Sequence, residues 1–244
     1  MIENTSLSGK RWKERAYDGA QAMALSQRLG ESEVVGRLLA PRGINLDDAR
    51  AFLEPKLRDA MPDPSSLKDM DRAVDRLIDA IENKQHVVIV GDYDVDGATS
   101  SALLFRYFQE VELTVQVHIP DRIEEGYGPQ VAVVERLAAQ GAQLMITVDC
   151  GTSAFEPLAK AAECGMDVIV LDHHAGEPKL PEAVAIVNPN RLDEENNLGN
   201  LAAVGVCFLV LVALNARLGT RLEWQDKRLP DLMSYLDIVA LGTV

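Results

Sequence analysis

The stretch VVIVGDYDVDGATSSALLF, residues 87–105, decides the predicted fold. Residues 87–90 form an apolar, β-branched run that is typical of a buried strand, and the small residues 97–100 begin a predicted helix. Three acids, Asp92, Asp94 and Asp96, lie between them. Because alternate residues of an extended segment point the same way, we expect the three carboxylates to project together from the end of the strand.

The acidic triplet predicts a divalent cation site. No lysine or arginine occurs from residue 85 to residue 105. Like charges held close together either raise one another's pKa or require a cation, and Mg²⁺ and Mn²⁺ prefer such oxygen ligands. A calcium loop of the EF-hand type would need a glutamate where Leu103 stands. The triplet alone would also suit a solvated turn.

Composition places the chain among ordinary globular proteins: 244 residues, 47% hydrophobic and 25% charged. Its apolar runs are short and there is no secretory leader pattern, so we expect no membrane association and a cytoplasmic location. The three cysteines form no CxxC pair, which suits reduced thiols. The net charge of −14 lacks the basic excess of most nucleic-acid-binding proteins. Either the substrate is small, or metal ions and a further region supply positive potential.

The order of the patterns predicts an α/β fold. Residues 1–66 form a helical N-terminal segment, and residues 67–244 alternate apolar strands with helices. Such alternation implies right-handed crossovers and a parallel sheet flanked by helices.

Two further strands end in the same way as the first. Asp149 ends the second, and Asp172, His173 and His174 end the third, again without nearby lysine or arginine. Ligands of parallel sheets gather beyond the carboxyl ends of the strands. Clustered anions without counter-ions are costly, so a metal centre at this edge resolves the conflict. Asp237, in an apolar helical pattern, is a further candidate for a ligand or a neighbour of one.

Several motifs occur in a characteristic order: VVIVGDYDVDG, IPDRIEEGYGP, ITVDCGTS, VIVLDHH, PEAVAIVNPNR, LAAVGVCFL and LDIVALGTV. Together they resemble the DHH phosphoesterase superfamily and, within it, the RecJ family of single-strand-specific exonucleases. The resemblance extends from about residue 11 to the end of the chain. It implies a Rossmann-like DHH domain.

The resemblance also implies a role for each matching residue. One ion would be held by Asp92, Asp94 and Asp149, and a second by Asp96, Asp149, His173 and Asp237. Which acid of the triplet binds which of the two ions stays open. Asp149 would then bridge the ions, His174 would lie near the scissile phosphate, and Asp172 would orient the histidines. Candidate phosphate or base contacts are Arg122, Tyr127 and Arg191.

The implied activity is hydrolysis of single-stranded DNA from the 5′ end in DNA repair and recombination, with two Mn²⁺ or Mg²⁺ ions activating water. RecJ-like proteins continue into a second catalytic lobe and an oligonucleotide-binding region, which this sequence does not match. We therefore expect a fragment that binds metal but cleaves DNA weakly or not at all.

Two alternatives remain open. A phosphodiesterase or pyrophosphatase for small molecules or short oligonucleotides, from the same superfamily, would suit the acidic charge better. A non-catalytic assembly module would be expected to have lost its ligands, whereas every expected acid and histidine is present.

Overall fold

The computed structural model describes residues 6–11 and 13–244, and the chain divides after Pro62 into two compact units. The sequence placed this division between residues 66 and 67. Residues 1–5 and 12, which belong to the predicted N-terminal segment, lie outside the described residues.

The first unit is helical, as predicted. It contains α1 (Gly19–Leu29), α2 (Glu33–Leu39), α3 (Ala49–Leu53) and α4 (Leu57–Ala60), with a 3₁₀ turn at Ala40–Arg42. The carboxylate of Asp18 accepts a hydrogen bond from the Ala20 amide and so caps the start of α1. A small apolar core holds the unit together and consists of Ala22, Leu25, Leu29, Leu39, Ala40 and Ala49.

The second unit alternates strands and helices. Its elements are α5 (Met70–Glu82), β1 (Val87–Gly91), α6 (Val95–Glu110), β2 (Val115–His118), α7 (Val131–Ala139), β3 (Leu144–Val148), α8 (Phe155–Glu163), β4 (Asp167–Leu171), β5 (Ala185–Val187), α9 (Ala203–Gly219) and α10 (Leu236–Thr243). Short 3₁₀ turns occur at Pro64–Ser66, Leu222–Trp224 and Leu232–Tyr235. The prediction of an α/β fold with a parallel sheet flanked by helices is confirmed.

The five strands form one parallel sheet in the order β2-β1-β3-β4-β5. The chain moves outward from β1 to β2 and then returns to the other side of β1 to form β3. This reversal creates a topological switch point between β1 and β3, where open α/β sheets bind their ligands.

Helices bury both faces of the sheet. Helices α7 and α8 pack on one face, where Val88, Met145 and Val170 are fully buried, and alternate residues such as Ile89 and Ile146 are fully buried on the other. Helix α9 packs against α5 and α6 and is buried along most of its length. Strands covered on both faces need continuous apolar sequence, which explains runs such as VVIV and LMITV. None of the helices in the described part of the chain has the length and hydrophobicity required to span a bilayer.

Candidate metal centre

Strand register lines up four polar residues along the carboxyl edge of the sheet. Gly91 is paired with Val148, Val148 with Leu171, and Leu171 with Val187. The residues that directly follow these strand ends are Asp92, Asp149, Asp172 and Asn188, and all four are buried. The predicted convergence of acids at one edge is therefore present, and an asparagine extends the row.

The acidic triplet is not extended, contrary to the prediction. Helix α6 begins at Val95, so only Asp92 directly follows the strand. Asp94 is the N-cap of α6, and its Oδ1 accepts a hydrogen bond of 3.0 Å from the Gly97 amide. Asp96 lies in the first helical turn. The carboxylates of Asp92 and Asp94 come together through a cap rather than through strand alternation.

Gly97 permits this tight entry into the helix. A Cβ atom at this position would lie 2.4 Å from the Asp92 carbonyl oxygen and 2.6 Å from its amide nitrogen. The glycine therefore lets the first turn of α6 pack directly on the backbone of Asp92.

Asp96 caps a second helix. Its Oδ2 accepts a hydrogen bond of 2.7 Å from the Ala203 amide, and its Oδ1 accepts one of 2.8 Å from the Val204 amide. These amides begin α9, so the carboxylate lies at the positive end of that helix. Asp96 Oδ2 is also 3.6 Å from Nε2 of His173, which keeps Asp96 beside the predicted site.

Asp149 is the most strongly perturbed carboxyl at the sheet edge. It adopts a left-handed conformation with φ of 59°, is only 2% exposed, and its Oδ1 has no hydrogen-bond partner. Burial, together with the charges of Asp96 and Asp94, raises the pKa of Asp149 to about 8. A bare buried oxygen facing other acids is well suited to a divalent cation, because the cation would replace the missing partner.

The histidine pair completes the constellation. Nε2 of His173 lies 3.2 Å from Oδ1 of Asp149, and Nδ1 of His174 lies 3.9 Å from the same oxygen. Ligand atoms of Asp92, Asp94 and Asp149 all lie within 4.8 Å of one another, as do those of Asp149, His173 and His174. We call these five residues the candidate metal centre. Asp149 belongs to both groups, so its carboxylate can serve two ions.

Asp172 holds the histidine segment in place. Its Oδ1 accepts hydrogen bonds from the amides of His173 and His174 and from Nδ1 of His174, at 2.7, 3.1 and 2.7 Å. Although burial opposes ionisation, hydrogen bonds from His174 and Thr152 lower the pKa of Asp172 to about 2. The hydrogen bond to Asp172 in turn raises the pKa of His174 to about 9. This bond favours the protonated form of the half-exposed His174 ring.

Two predicted substrate contacts lie at the rim of the candidate metal centre. Arg122 is exposed and stacks over the ring of Tyr93, with 5.3 Å between the guanidinium carbon and the ring centroid. The hydroxyl of Tyr127 donates to the Asp149 carbonyl at 3.0 Å and lies 3.5 Å from Nδ1 of His174. Tyr127 thus contacts two residues of the centre, Asp149 and His174.

Arg191 is engaged elsewhere, contrary to its predicted phosphate contact. Its side chain is 8% exposed and pairs with Asp69 at 2.8 Å and with Asp193 at 2.9 Å. Its Nη1 also donates to the carbonyl of Ile186, whose amide donates to Asp69. We call Asp69, Arg191 and Asp193 the arginine cluster. The guanidinium ties the edge strand β5 to the start of α5.

Asp237 is not brought into either group of potential ligands. It is exposed in the first turn of α10, and its Oδ1 accepts a hydrogen bond from the amide of Ile238. The predicted metal-ligand role of Asp237 therefore has no contact in the structure to support it.

Three residues near the histidines had no predicted role. The Thr152 amide donates to Asp172, and the Asn188 side chain donates to the Thr152 hydroxyl and the His174 carbonyl. The side chain of Asn190 donates to the His173 carbonyl. A polar residue directly after an apolar strand was the available signal for Asn188, the same signal that identified Asp92 and Asp149.

A family model described as "DHH family, N-terminal domain" matches residues 86–243. The chain belongs to the DHH family. The matched range contains all five residues of the candidate metal centre, so the centre is part of the DHH domain and not of the N-terminal unit.

Proteins named single-stranded-DNA-specific exonuclease RecJ are similar to this DHH family chain over most of its length. The Bacillus subtilis protein is 37% identical over 97% of this chain and 28% of its own length. The Escherichia coli protein is 38% identical over 85% of this chain and 36% of its own length. This chain thus spans about a third of the curated relatives that it matches.

Two solved structures of RecJ share the fold. A manganese-bound RecJ is 34% identical with a TM-score of 0.64, covering 72% of this chain and 43% of that one. Thermus thermophilus RecJ in complex with Mn²⁺ is 28% identical with a TM-score of 0.73, covering 92% of this chain and 30% of that one. The predicted resemblance to the DHH superfamily and to RecJ is confirmed.

Proposed function

We propose that this chain is the metal-binding DHH part of a RecJ-type exonuclease, which hydrolyses the phosphodiester bonds of single-stranded DNA from the 5′ end in DNA repair and recombination. The observation that carries the proposal is the buried Asp149 carboxylate, whose Oδ1 has no hydrogen bond and which belongs to both groups of potential ligands. The similarity to RecJ proteins over most of the chain supports the choice of substrate.

The donor set fits Mn²⁺ or Mg²⁺. Asp92, Asp94 and Asp149 would hold one ion through carboxylate oxygens, and Asp149 with His173 would hold a second. Asp96 lies close enough to His173 to contribute, although its carboxylate also caps α9. When bound, such ions lower the pKa of water and stabilise charge on phosphoryl oxygens.

His174 supplies a positive charge and a proton beside the ions. Its Nδ1 is committed to Asp172, so Nε2 is the nitrogen left to face the scissile phosphate. The hydrogen bond to Asp172 raises the pKa of His174 and so favours the imidazolium, which can stabilise a phosphate oxygen and donate to the leaving oxygen.

The rim residues would contact the nucleotide. Arg122, stacked on Tyr93, lies within electrostatic range of Asp92, where it can pair with a phosphate. The half-exposed ring of Tyr127 and the Arg122 guanidinium stacked on Tyr93 suit contact with bases of a single strand. These contacts bring positive charge and aromatic surface to a chain whose net charge is −14.

The RecJ relatives are about three times as long as this chain. We propose that a second catalytic lobe and an oligonucleotide-binding region, carried by the same longer polypeptide, complete the DNA track around this domain. The three cysteines are all free thiols, which supports a reducing, cytoplasmic setting.

A metal titration followed by a nuclease assay tests the proposal. We expect this chain to bind Mn²⁺, and Asp149→Asn to abolish binding while the fold is retained. A polypeptide that also carries the C-terminal region of the RecJ relatives should release mononucleotides from a single strand, but not from a blunt duplex. Binding of Mn²⁺ that survives Asp149→Asn would overturn the site, and equal digestion of both DNAs would overturn the specificity.

The same assay separates the small-substrate alternative. A dinucleotide and inorganic pyrophosphate are offered beside a long single strand of equal phosphate concentration. Faster turnover of either small compound would replace the exonuclease proposal with the alternative that the acidic charge favours.

A further inference from the structure

Two asparagines after β5 bind the carbonyl groups of the histidine pair, whose amides bind Asp172. Nδ2 of Asn188 donates to the His174 carbonyl at 2.9 Å, and Nδ2 of Asn190 donates to the His173 carbonyl at 2.6 Å. Asn188 is fully buried. The turn after β5 therefore fixes where both histidines leave β4.

The ring of His173 is oriented by a carbonyl from another loop. Its Nδ1 lies 3.1 Å from the carbonyl oxygen of Leu201. Because a carbonyl oxygen can only accept, Nδ1 carries a hydrogen, and Nε2 is the ring nitrogen that faces the candidate metal centre. Nε2 lies 3.2 Å from Oδ1 of Asp149, so the neutral ring with its hydrogen on Nδ1 is the tautomer that a metal ligand at Nε2 requires.

Asn190 joins these two elements through one amide group. Its Nδ2 donates to the His173 carbonyl and also, at 3.2 Å, to the carbonyl of Gly199. Gly199 lies two residues before Leu201, whose carbonyl orients the ring. Since both partners are carbonyl oxygens, only the nitrogen of the amide can face them.

The main chain of Asn190 strengthens the same connection. Its carbonyl oxygen accepts a hydrogen bond of 3.0 Å from the Gly176 amide. The segment from His173 to Gly176 is thus held at both ends by one residue.

We propose that Asn190 is a positioning residue that fixes the place, ring orientation and tautomer of His173. It touches no candidate ligand atom itself and acts through His173 and the loop that carries Leu201. The tautomer rests on geometry alone, while the consequence for metal affinity rests on the proposed function. Groups that orient a metal-ligating histidine typically change metal affinity 10- to 100-fold when lost.

Asn190→Ala removes both hydrogen bonds, and Asn196→Ala is its matched control. Asn196 lies in the same loop and makes local hydrogen bonds to Glu194 and Leu198, without touching a histidine. We expect Asn190→Ala to weaken Mn²⁺ binding about 10- to 100-fold and Asn196→Ala to leave it within about 2-fold.

A double-variant cycle distinguishes positioning from general loosening. In a His173→Ala background, Asn190→Ala should weaken Mn²⁺ binding no further, because its effect passes through the missing ring. An equal loss in both backgrounds would overturn the proposal.

Gly199→Ala provides a second route to the same defect. A Cβ atom at Gly199 would lie 2.5 Å from Oδ1 of Asn190, so the added methyl group displaces the amide while Asn190 itself is kept. We expect a loss of Mn²⁺ affinity similar to that of Asn190→Ala.

Nitrogen NMR of ¹⁵N-histidine in the metal-free protein provides a measurement that needs no metal. At fixed pH, His173 should carry its hydrogen on Nδ1 in the parent and in Asn196→Ala, and should show a tautomer mixture in Asn190→Ala and Gly199→Ala. An unchanged tautomer in both variants would overturn the proposal. A parent that binds no Mn²⁺ but shows the tautomer shift would refute the metal function and leave the positioning role in place.

Discussion

Two acidic clusters in the same unit differ in how their negative charge is balanced. In the arginine cluster, the carboxylates of Asp69 and Asp193 both pair with the buried guanidinium of Arg191. In the candidate metal centre, no lysine or arginine ion pair of the described residues involves Asp92, Asp94 or Asp149. One cluster contains its own cation and stabilises the fold, whereas the other keeps a bare carboxylate oxygen that an external cation can complete.

The largest effect on Mn²⁺ affinity should follow from removing the carboxylate of Asp149 in the candidate metal centre. Asp149→Asn keeps the shape of the side chain, and asparagine tolerates the left-handed backbone at this position. We expect Mn²⁺ affinity to fall by about 10³-fold or more, since the residue belongs to both ligand groups. Calorimetric titration measures the loss. Asp193→Asn is the control, and a similar loss there would contradict the contrast between the clusters.

Removing the internal cation should instead damage the fold. Arg191→Ala removes the buried cation and leaves Asp69 with only Arg72 and the Ile186 amide as partners. We expect the free energy of unfolding to fall by about 3 kcal/mol. Urea unfolding measures this change in metal-free protein. The Mn²⁺ affinity of the folded variant should stay within about 2-fold of the parent, because Arg191 faces β5 rather than the metal centre.

Bound Mn²⁺ should stabilise the second unit only through the candidate metal centre. With Mn²⁺ at about 100 times its dissociation constant, the free energy of unfolding should rise by about 2.7 kcal/mol. The rise should persist in Asp193→Asn and disappear in Asp149→Asn. Thermal unfolding with and without Mn²⁺ checks this, and an equal rise in all three proteins would show binding elsewhere.

A smaller effect concerns pH: the contributions of Asp149 and Asp193 to folding stability should change in opposite directions as pH rises. Burial and neighbouring acids raise the pKa of Asp149 to about 8. Folding therefore takes up a proton between about pH 4 and pH 8, and this group's contribution to stability falls as pH rises through that window. The hydrogen bond from Arg191 lowers the pKa of Asp193. That carboxylate therefore adds stability that is present above its unfolded pKa and lost as pH falls through the folded one.

At pH 8.5, in metal-free protein, the two variants should differ from the parent in folding stability in opposite directions. Asp149→Asn should be more stable than the parent by an amount on the order of 1–2 kcal/mol, and Asp193→Asn should be less stable. At pH 4.5 the first difference should become small. Urea unfolding at the two pH values measures both, and a destabilised Asp149→Asn at pH 8.5 would refute the strain assigned to the bare carboxylate.

The sequence predicted the fold and the edge of the sheet because both depend on local pattern. Continuous apolar runs such as residues 87–90 predict strands buried on both faces, and the acids after β1, β3 and β4 follow from strand ends alone. The alternation of strands and helices predicts parallel pairing, which places those ends in one row.

Sequence pattern failed where side-chain direction depends on distant partners. The triplet was predicted as extended because its spacing is two, but the Asp94 cap starts the helix early. Asp96 bonds to amides that lie 107 and 108 residues away, and Arg191 pairs with an aspartate 122 residues away. No local period encodes such contacts, so the roles of these residues required the folded chain.

The arginine cluster has one further consequence for how copies of this protein meet. Strand β5 is at the open side of the sheet, where an unpaired strand would invite backbone pairing from another molecule. Both backbone groups of Ile186 are already bound, the amide by Asp69 and the carbonyl by Arg191. The side chains of Asp69 and Arg191 therefore block backbone pairing at Ile186, which disfavours edge-to-edge association of the sheet with a second molecule.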